Sequence, residues 1–195
     1  MPEKNEASDV VLWSRALDGD DRAFAVLFDR HAERVHRHAR RFSANREDAE
    51  DVTALVFLEA WRLRTRVRVV NGSVIGWLLV TAANIARNGA RARIRHERLL
   101  RGLRPESVPD HAEAVLGEEG REVVRTGVRA AFERLSPRDQ EILALCIIEE
   151  LTPQDVAKVL RVPSGAVRTR LSRAKARLRA AIGDLGSTEW DGEWA

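Results

Sequence analysis

The stretch from residue 152 to residue 179 combines helix caps, a breaker and apolar positions in a pattern that fits two short helices joined by a turn. Thr152 is suited to cap the first helix, and Pro153 fits its first turn. Pro163 interrupts the apolar pattern, and we expect Ser164 to cap the second helix. The spacing therefore predicts a helix-turn-helix.

The second of these helices is basic along its whole length. An apolar stripe at helical spacing should hold it against the first helix, and this stripe consists of Val167, Leu171, Ala174 and Leu178. The other positions of this helix up to residue 179 include no acid. They include six cations: Arg168, Arg170, Arg173, Lys175, Arg177 and Arg179. Because a helix-turn-helix places its second helix in the major groove, we expect DNA binding. The alternative is a helical hairpin with a solvated basic face.

The formal net charge of +3 conceals a strong segregation of charge. Between residues 87 and 101, arginines outnumber the single acid, Glu97. Residues 105–122 contain six acids, and Arg121 is their only Lys or Arg. Residues 183–195 contain acids but no Lys or Arg. Two basic segments with acidic material between and after them indicate two separate contacts with a polyanion.

Helical periodicity runs through most of the chain, with almost no strand signal. It fails near residues 102–120, where prolines and glycines occur among acids, as in a linker. We therefore expect an all-α protein with two small helical domains, at 9–100 and 122–183, the second of which contains the helix-turn-helix. A flexible linker at 101–121 should join them, and an acidic tail should follow at 184–195.

Several kinds of site are excluded on composition and spacing. Cys146 is the only cysteine and lies in an apolar run, so we expect a core residue and no disulfide. His31, His36 and His38 lack a cluster of Cys or carboxylate at ligand spacing, so we expect no metal and no other cofactor. The N-terminus lacks a signal-peptide stretch, and no segment approaches the ~18 apolar residues of a membrane span. A cytoplasmic protein without membrane insertion is expected.

Segments in both halves resemble bacterial sigma factors. Residues 135–179, from LSPRDQ to RAKARLR, resemble the promoter −35 binding domain, most closely in the extracytoplasmic-function branch. Residues 48–62, DAEDVTALVFLEAWR, are similar to the helix that binds core polymerase. Residues 76–95 resemble the −10 recognition helix, including Asn84 seven residues after Trp77. A helix-turn-helix alone would be weak evidence, but these segments in this order identify the family.

The resemblance implies a dissociable subunit that recruits core RNA polymerase to a promoter and opens it. It implies promoter DNA and core polymerase as partners, with an anti-sigma factor as a further one. In the second helix of the helix-turn-helix, side chains near its start should reach base edges and others should contact phosphates. The base-facing candidates are Arg168, Thr169, Ser172 and Arg173. The phosphate candidates are Arg170, Lys175 and Arg177, with Ser164 at the helix start.

For the −10 element, the resemblance places a pocket for an extruded base between the loop at 64–73 and the helix that follows. Asn84 carries an amide suited to a base edge; its alternative role is a surface amide without a ligand. Trp77 could be either a core anchor or a stacking platform. The loop lacks the acid that is common in relatives, so the preferred base is open. The expected contacts are Arg66, Arg68, Asn71, Trp77, Asn84, Arg87, Asn88 and Arg91.

The helix at 48–62 offers polar and apolar candidates for a basic coiled-coil partner on the polymerase. The polar candidates are Asp48, Glu50, Asp51 and Glu59, and the apolar ones are Leu55, Phe57 and Trp61. Ala54 and Leu55 stand where relatives often have a polar or acidic residue, so the detailed contact pattern is open.

Two other function classes fit less well. A regulator of the response-regulator output type would need an upstream receiver of alternating strands and helices, and residues 1–100 indicate helices only. An enzyme would need a nucleophile elbow, a Walker loop or a metal-spaced cluster, and the sequence contains none of these. We therefore expect that this chain is not an enzyme and that the polymerase performs the chemistry.

Overall fold

The computed structural model describes residues 7–101 and 119–188. These residues form eight α-helices and no β-strand, so the expected all-α fold is confirmed. They fall into two compact units, one in each described range. Within the described part of the chain, no helix combines the length and apolar character that crossing a membrane requires.

The first unit consists of four helices. They are α1 (Asp9–Leu17), α2 (Asp21–Ala39), α3 (Arg46–Arg62) and α4 (Ile75–Arg101). Helix starts carry short polar side chains at the cap position, as the sequence leads one to expect. For example, Asn45 Oδ1 accepts a hydrogen bond of 2.7 Å from the Asp48 amide at the start of α3.

The core of the first unit is aliphatic near its centre and aromatic along one side. Leu27, Val56 and Leu79 have less than 2% of their surface exposed. On the aromatic side, Phe24 of α2 packs against Trp61 and Phe57 of α3, with ring centroids 5.1 and 6.3 Å apart. Burial of these aliphatic and aromatic side chains together is the main favourable contribution to folding of the unit.

The segment between α3 and α4 begins with a 3₁₀ turn at Arg64–Arg66 and ends in a tight reversal. Asn71 and Gly72 both have left-handed backbones, with φ values of 50° and 76°. Val70 and Ser73 flank them and exchange two backbone hydrogen bonds of 2.9 and 3.1 Å. An Asn-Gly pair suits a two-residue turn because both residues tolerate positive φ.

The second unit also consists of four helices. They are α5 (Glu119–Glu133), α6 (Pro137–Leu143), α7 (Pro153–Leu160) and α8 (Ser164–Thr188). A π-helical turn, Ala144–Ile148, follows α6 directly. The helix-turn-helix comprises α7, the turn after it and the first half of α8.

The cap predicted at Thr152 is confirmed, and α6 begins with a cap of the same kind. Ser136 accepts a hydrogen bond from the Asp139 amide at the start of α6, and Thr152 accepts one from Asp155 at the start of α7. Ser164 differs from the expectation, because it is already the first residue of α8. The carbonyl of Pro163 accepts the first hydrogen bonds of the helix, so Ser164 lies in the first turn.

The apolar stripe of α8 faces the core of the second unit as predicted. Val167 and Ala174 are 1% and 0% exposed. Ala174 belongs to a buried cluster with Leu135 and Leu143, against which other partly buried side chains pack: Phe132, Leu171 and Leu178. The stripe fixes which face of α8 points to solvent.

Candidate nucleic-acid interface

The four base-facing candidates share the solvent side of α8. Arg168, Thr169, Ser172 and Arg173 are all exposed, on the side opposite the buried Val167. Their spacing of one and four residues places them on adjoining ridges of the second and third turns. The structure therefore brings these predicted side chains together on one surface.

Two of the predicted phosphate contacts lie beside a buried acid. Asp139 of α6 is 1% exposed, and Arg177 Nη1 donates a hydrogen bond of 2.5 Å to its Oδ2. Arg170 Nη1 lies 3.8 Å from the other oxygen. Because a buried carboxylate without a partner is costly, Arg177 stabilises Asp139, while 61% of the Arg177 side chain stays exposed. Its contact with phosphate stays a prediction.

Lys175 is half-buried on α8. Burial raises the pKa of the Cys146 thiol, and the charge of Lys175 opposes this to a smaller extent. The thiol is therefore the protonated form near neutral pH, consistent with a packing role. Within residues 7–101 and 119–188, no group of three or more His, Cys, Asp or Glu side chains is placed to hold a metal ion.

Helix α4 presents polar side chains on the face opposite its buried alanines. Asn84, Asn88 and Arg91 are exposed. Arg87 is half-buried and donates to the Ala83 carbonyl at 2.9 Å and to Asn84 Oδ1 at 3.3 Å. With its oxygen accepting from Arg87, the Asn84 amide can direct its N–H groups outward, where they suit acceptor atoms on a base.

The loop candidates of the first unit are also accessible. Arg66, Arg68 and Asn71 are exposed, and Asn71 lies at the tip of the tight reversal. Trp77, in the first turn of α4, is half-buried. A half-buried ring is compatible with both roles considered for Trp77, an anchor and a stacking platform.

The outer face of α3 separates the polymerase candidates into two groups. Leu55 is 47% exposed and Asp51 is exposed. Phe57, in contrast, is 4% exposed, with its ring centroid 4.7 Å from that of Phe28. This burial corrects the expectation that Phe57 is an apolar contact, because its side chain is used by the core. Leu58, which the sequence reading missed, is 61% exposed beside Leu55.

The remaining candidates on α3 already have partners. Asp48 forms an ion pair with Arg93 of α4, and Glu59 lies 3.3 Å from Arg62. Trp61 is half-buried, with the Arg64 guanidinium 4.9 Å from its ring centroid. A shallow groove also lies between α2 and α3, and it is lined by Phe28, Ala32, Glu33, His36, Arg46, Glu50, Thr53 and Ala54.

Two family models match this chain. The model for Sigma-70 region 2 matches residues 27–98, and the model for Sigma-70, region 4 matches residues 125–178. Together they span well over half of the chain. The first match covers most of the first unit with its exposed α3 and α4 faces, and the second covers the helix-turn-helix.

Curated relatives are 26–30% identical to this chain over the residues that align. The chain is 30% identical over 160 residues to the ECF RNA polymerase sigma factor SigE of Mycolicibacterium smegmatis, covering 78% of this chain and 59% of SigE. It is 29% identical over 172 residues to the RNA polymerase sigma factor CarQ of Myxococcus xanthus, covering 88% and 95%. The chain thus spans less than two thirds of the first relative and nearly all of the second.

Solved structures support the same fold. CnrH, in complex with the cytosolic domain of CnrY, matches with a TM-score of 0.65 at 23% identity, over 91% of this chain and 99% of that chain. The sigma factor RpoE, in complex with the anti-sigma factor NepR from Bartonella quintana, matches with a TM-score of 0.58 at 20% identity, over 80% and 94%.

Proposed function

The chain belongs to the extracytoplasmic-function branch of the sigma-70 family, and we infer that it directs promoter-specific transcription initiation by core RNA polymerase. The observation that carries this inference is the pairing of two surfaces in one chain. One unit carries an exposed α3 face with a polar α4, and the other carries an exposed basic helix in a helix-turn-helix. Each surface lies within the matching family region.

In the second unit, α8 enters the major groove of the −35 duplex. Arg168 and Arg173 contact base edges, where a guanidinium pairs well with guanine. Thr169 and Ser172 complete this exposed face. Lys175 and Arg170 contact phosphates, which contribute affinity without sequence preference. Arg177 contributes indirectly, by holding α8 against α6 through Asp139.

In the first unit, the −10 element is opened and one base is held outside the stack. Asn84 donates to an acceptor on the extruded base, and Asn88 and Arg91 continue the exposed face of α4 toward the backbone. Arg66, Arg68 and Asn71 approach the unpaired strand from the loop, where cationic side chains favour single-stranded DNA.

Core polymerase binds the outer face of α3. Leu55 and Leu58 supply an exposed apolar patch, and Asp51 supplies negative charge beside it. An apolar centre with a polar or charged rim is typical of a non-obligate protein–protein interface. A basic partner helix would complement this face.

An anti-sigma factor is the further partner that we propose. The similar proteins CnrH and RpoE were solved in complexes with the cytosolic domain of CnrY and with the anti-sigma factor NepR. This chain has the same fold, and an inhibitor that covers either exposed surface would block one of the two contacts that initiation needs.

Run-off transcription tests the proposal. Core polymerase is supplied with a library of genomic fragments, with and without the full-length chain, and we expect new transcripts that start at defined positions only when the chain is present. A variant with Leu55→Asp and Leu58→Asp should lose these transcripts and its affinity for core polymerase. Val11→Asp is the matched control, because Val11 is 50% exposed on α1.

The outcome also separates the two main classes of function. Binding to duplex DNA with no engagement of core polymerase at micromolar concentration would indicate an ordinary DNA-binding regulator. Engagement of polymerase without start-site selection would place the activity in the first unit alone and contradict the role given to α8.

A further inference from the structure

Asp9 begins α1 but is only 5% exposed, and four donors surround its carboxylate. Arg30 Nη1 lies 2.7 Å from Oδ1. On Oδ2, His31 Nε2 lies at 2.7 Å, the Ser73 hydroxyl at 2.5 Å and the Val74 amide at 3.1 Å. Since an ionised carboxylate only accepts hydrogen bonds, His31 Nε2 and Ser73 Oγ act as donors here.

The donors come from two distant parts of the chain. Arg30 and His31 belong to α2, whereas Ser73 and Val74 follow Asp9 by 64 and 65 residues. Arg30 also donates to the Ala7 carbonyl at 2.8 Å, which ties the start of α1 to α2 a second time. The carboxylate is therefore the common acceptor of α2 and the segment that leads into α4.

The network keeps Asp9 ionised. Burial raises the pKa of this carboxyl, but the hydrogen bonds from His31, Ser73 and Arg30 outweigh burial and bring it well below its ordinary value. Charge-assisted hydrogen bonds are about twice as strong as neutral ones, so this acceptor is a firm attachment point for Ser73.

Ser73 is the residue at which the loop and α4 meet. Its backbone closes the Asn71–Gly72 reversal through two hydrogen bonds with Val70. Its hydroxyl oxygen also accepts from the amide of Ile75, the first residue of α4, at 3.2 Å. Fixing Ser73 therefore fixes both the base of the turn and the start of the helix that carries Asn84.

We infer that Asp9 is a positioning residue for promoter opening: it holds the Asn71 turn and the start of α4 where the loop and Asn84 meet the unpaired −10 strand. This inference rests on the proposed function, because it assigns the 64–73 loop and α4 to the −10 element. It gives α1, which lies outside the matched region at 27–98, an indirect part in that step through Ser73.

The test compares three full-length variants with the wild type. Asp9→Asn keeps the shape but removes the charge, and Ser73→Ala removes only the hydroxyl that reaches Asp9 and Ile75. Asp20→Asn is the matched control: Asp20 likewise lies at a helix start, where it caps α2, and it pairs with an arginine, Arg15, at 2.7 Å. No hydrogen bond found for it among the described residues reaches the loop.

The measurement is permanganate reactivity of −10 thymines on a promoter selected with wild-type chain and core polymerase. Affinity for core polymerase and the folded fraction, from circular dichroism at the assay temperature, are measured for each variant. We expect about a tenfold lower open fraction for Asp9→Asn and about a threefold loss for Ser73→Ala, both within the range that the net contribution of one hydrogen bond produces. Asp20→Asn should stay within about twofold of wild type on the same basis.

A purely structural role for Asp9 predicts a different pattern. Opening per folded molecule would then be equal in Asp9→Asn and Asp20→Asn, with both variants less stable, and this result would overturn the inference. If Asp9→Asn does not fold, Ser73→Ala decides, since normal opening in that variant contradicts the positioning role. If the wild-type chain opens no promoter with core polymerase, the proposed function itself fails, and that failure is visible before any variant is compared.

Discussion

Arg177 of α8 donates a hydrogen bond to the buried carboxylate of Asp139 in α6, 38 residues earlier in the chain. The recognition helix is thus held to its own unit by one of the cations that a sequence reading assigns to DNA. Since a carboxylate that is 1% exposed needs a counter-charge, the ion pair holds the Arg177 guanidinium against α6, although 61% of the Arg177 side chain is exposed.

The ion pair between Arg177 and Asp139 predicts that Arg177 mainly stabilises the fold, whereas Lys175 mainly contributes to DNA affinity. Arg177→Met should lower the free energy of unfolding by about 1–3 kcal/mol, because Asp139 loses a charged donor. The slope of log affinity for −35 duplex against log salt should stay unchanged. Lys175→Met should reduce that slope by about one unit, since one phosphate contact is lost, with little change in stability. Thermal unfolding measures the stability, and anisotropy titrations at several salt concentrations measure the slope. A reduced slope for Arg177→Met would show that Arg177 contacts a phosphate.

Arg173 is exposed on the base-facing side of α8, so its removal should change which sequences are preferred. Arg173→Ala is expected to cost about 1–3 kcal/mol of discrimination at one −35 position. Binding to a randomised −35 library, followed by sequencing of the bound fraction, reports this directly. A uniform loss of affinity across the library would show that Arg173 contacts only the backbone.

Asn84 is exposed, with its amide oxygen accepting from Arg87. If its N–H groups hold an extruded base, Asn84→Ala should leave polymerase and −35 affinities intact while opening becomes about 1–3 kcal/mol less favourable. Permanganate footprints on natural and pre-melted promoters measure this. A pre-melted bubble should rescue the variant only in part, because the base contact is still missing. Normal opening on the natural duplex would leave Asn84 as a surface amide.

The low pKa of Asp9 predicts how the stability of the protein depends on pH in the acidic range. A carboxyl whose pKa is lower in the folded than in the unfolded chain stabilises fully above its ordinary value of 3.8, and the stabilisation is lost as the pH falls toward the folded pKa. Asp9→Asn should therefore flatten the fall in melting temperature below about pH 4. Asp20, the cap of α2, whose pKa is lowered mainly by the hydrogen bond from the Ala23 amide, should account for a smaller part. A profile for Asp9→Asn that falls as steeply as wild type would contradict the ionised network.

Local chemistry explains what could be predicted from the sequence. Ser136 and Thr152 cap their helices through amides only three residues away, so the pattern is readable within a single turn. The stripe of α8 follows in the same way from the helical period, which determined its buried side and hence its exposed face.

Contacts between distant residues explain what could not be predicted. Phe57 is a residue type that is common in interfaces. Only the packing of α2 against α3 shows that its ring is buried. Asp139 looks like an ordinary first-turn acid until α8 packs beside it. Nothing within a few residues of Asp9 indicates that Ser73 will donate to it, because that pairing depends on the fold of the whole first unit.

The turn between α7 and α8 ends the first helix at Arg161, whose φ of 58° is a left-handed backbone that non-glycine residues adopt at a cost of about 1–2 kcal/mol. Glycine would relieve that cost, but it would also delete an exposed cation from a unit proposed to bind DNA. A selection for thermal stability should therefore favour glycine at position 161. A selection for transcription from the promoter should favour arginine there.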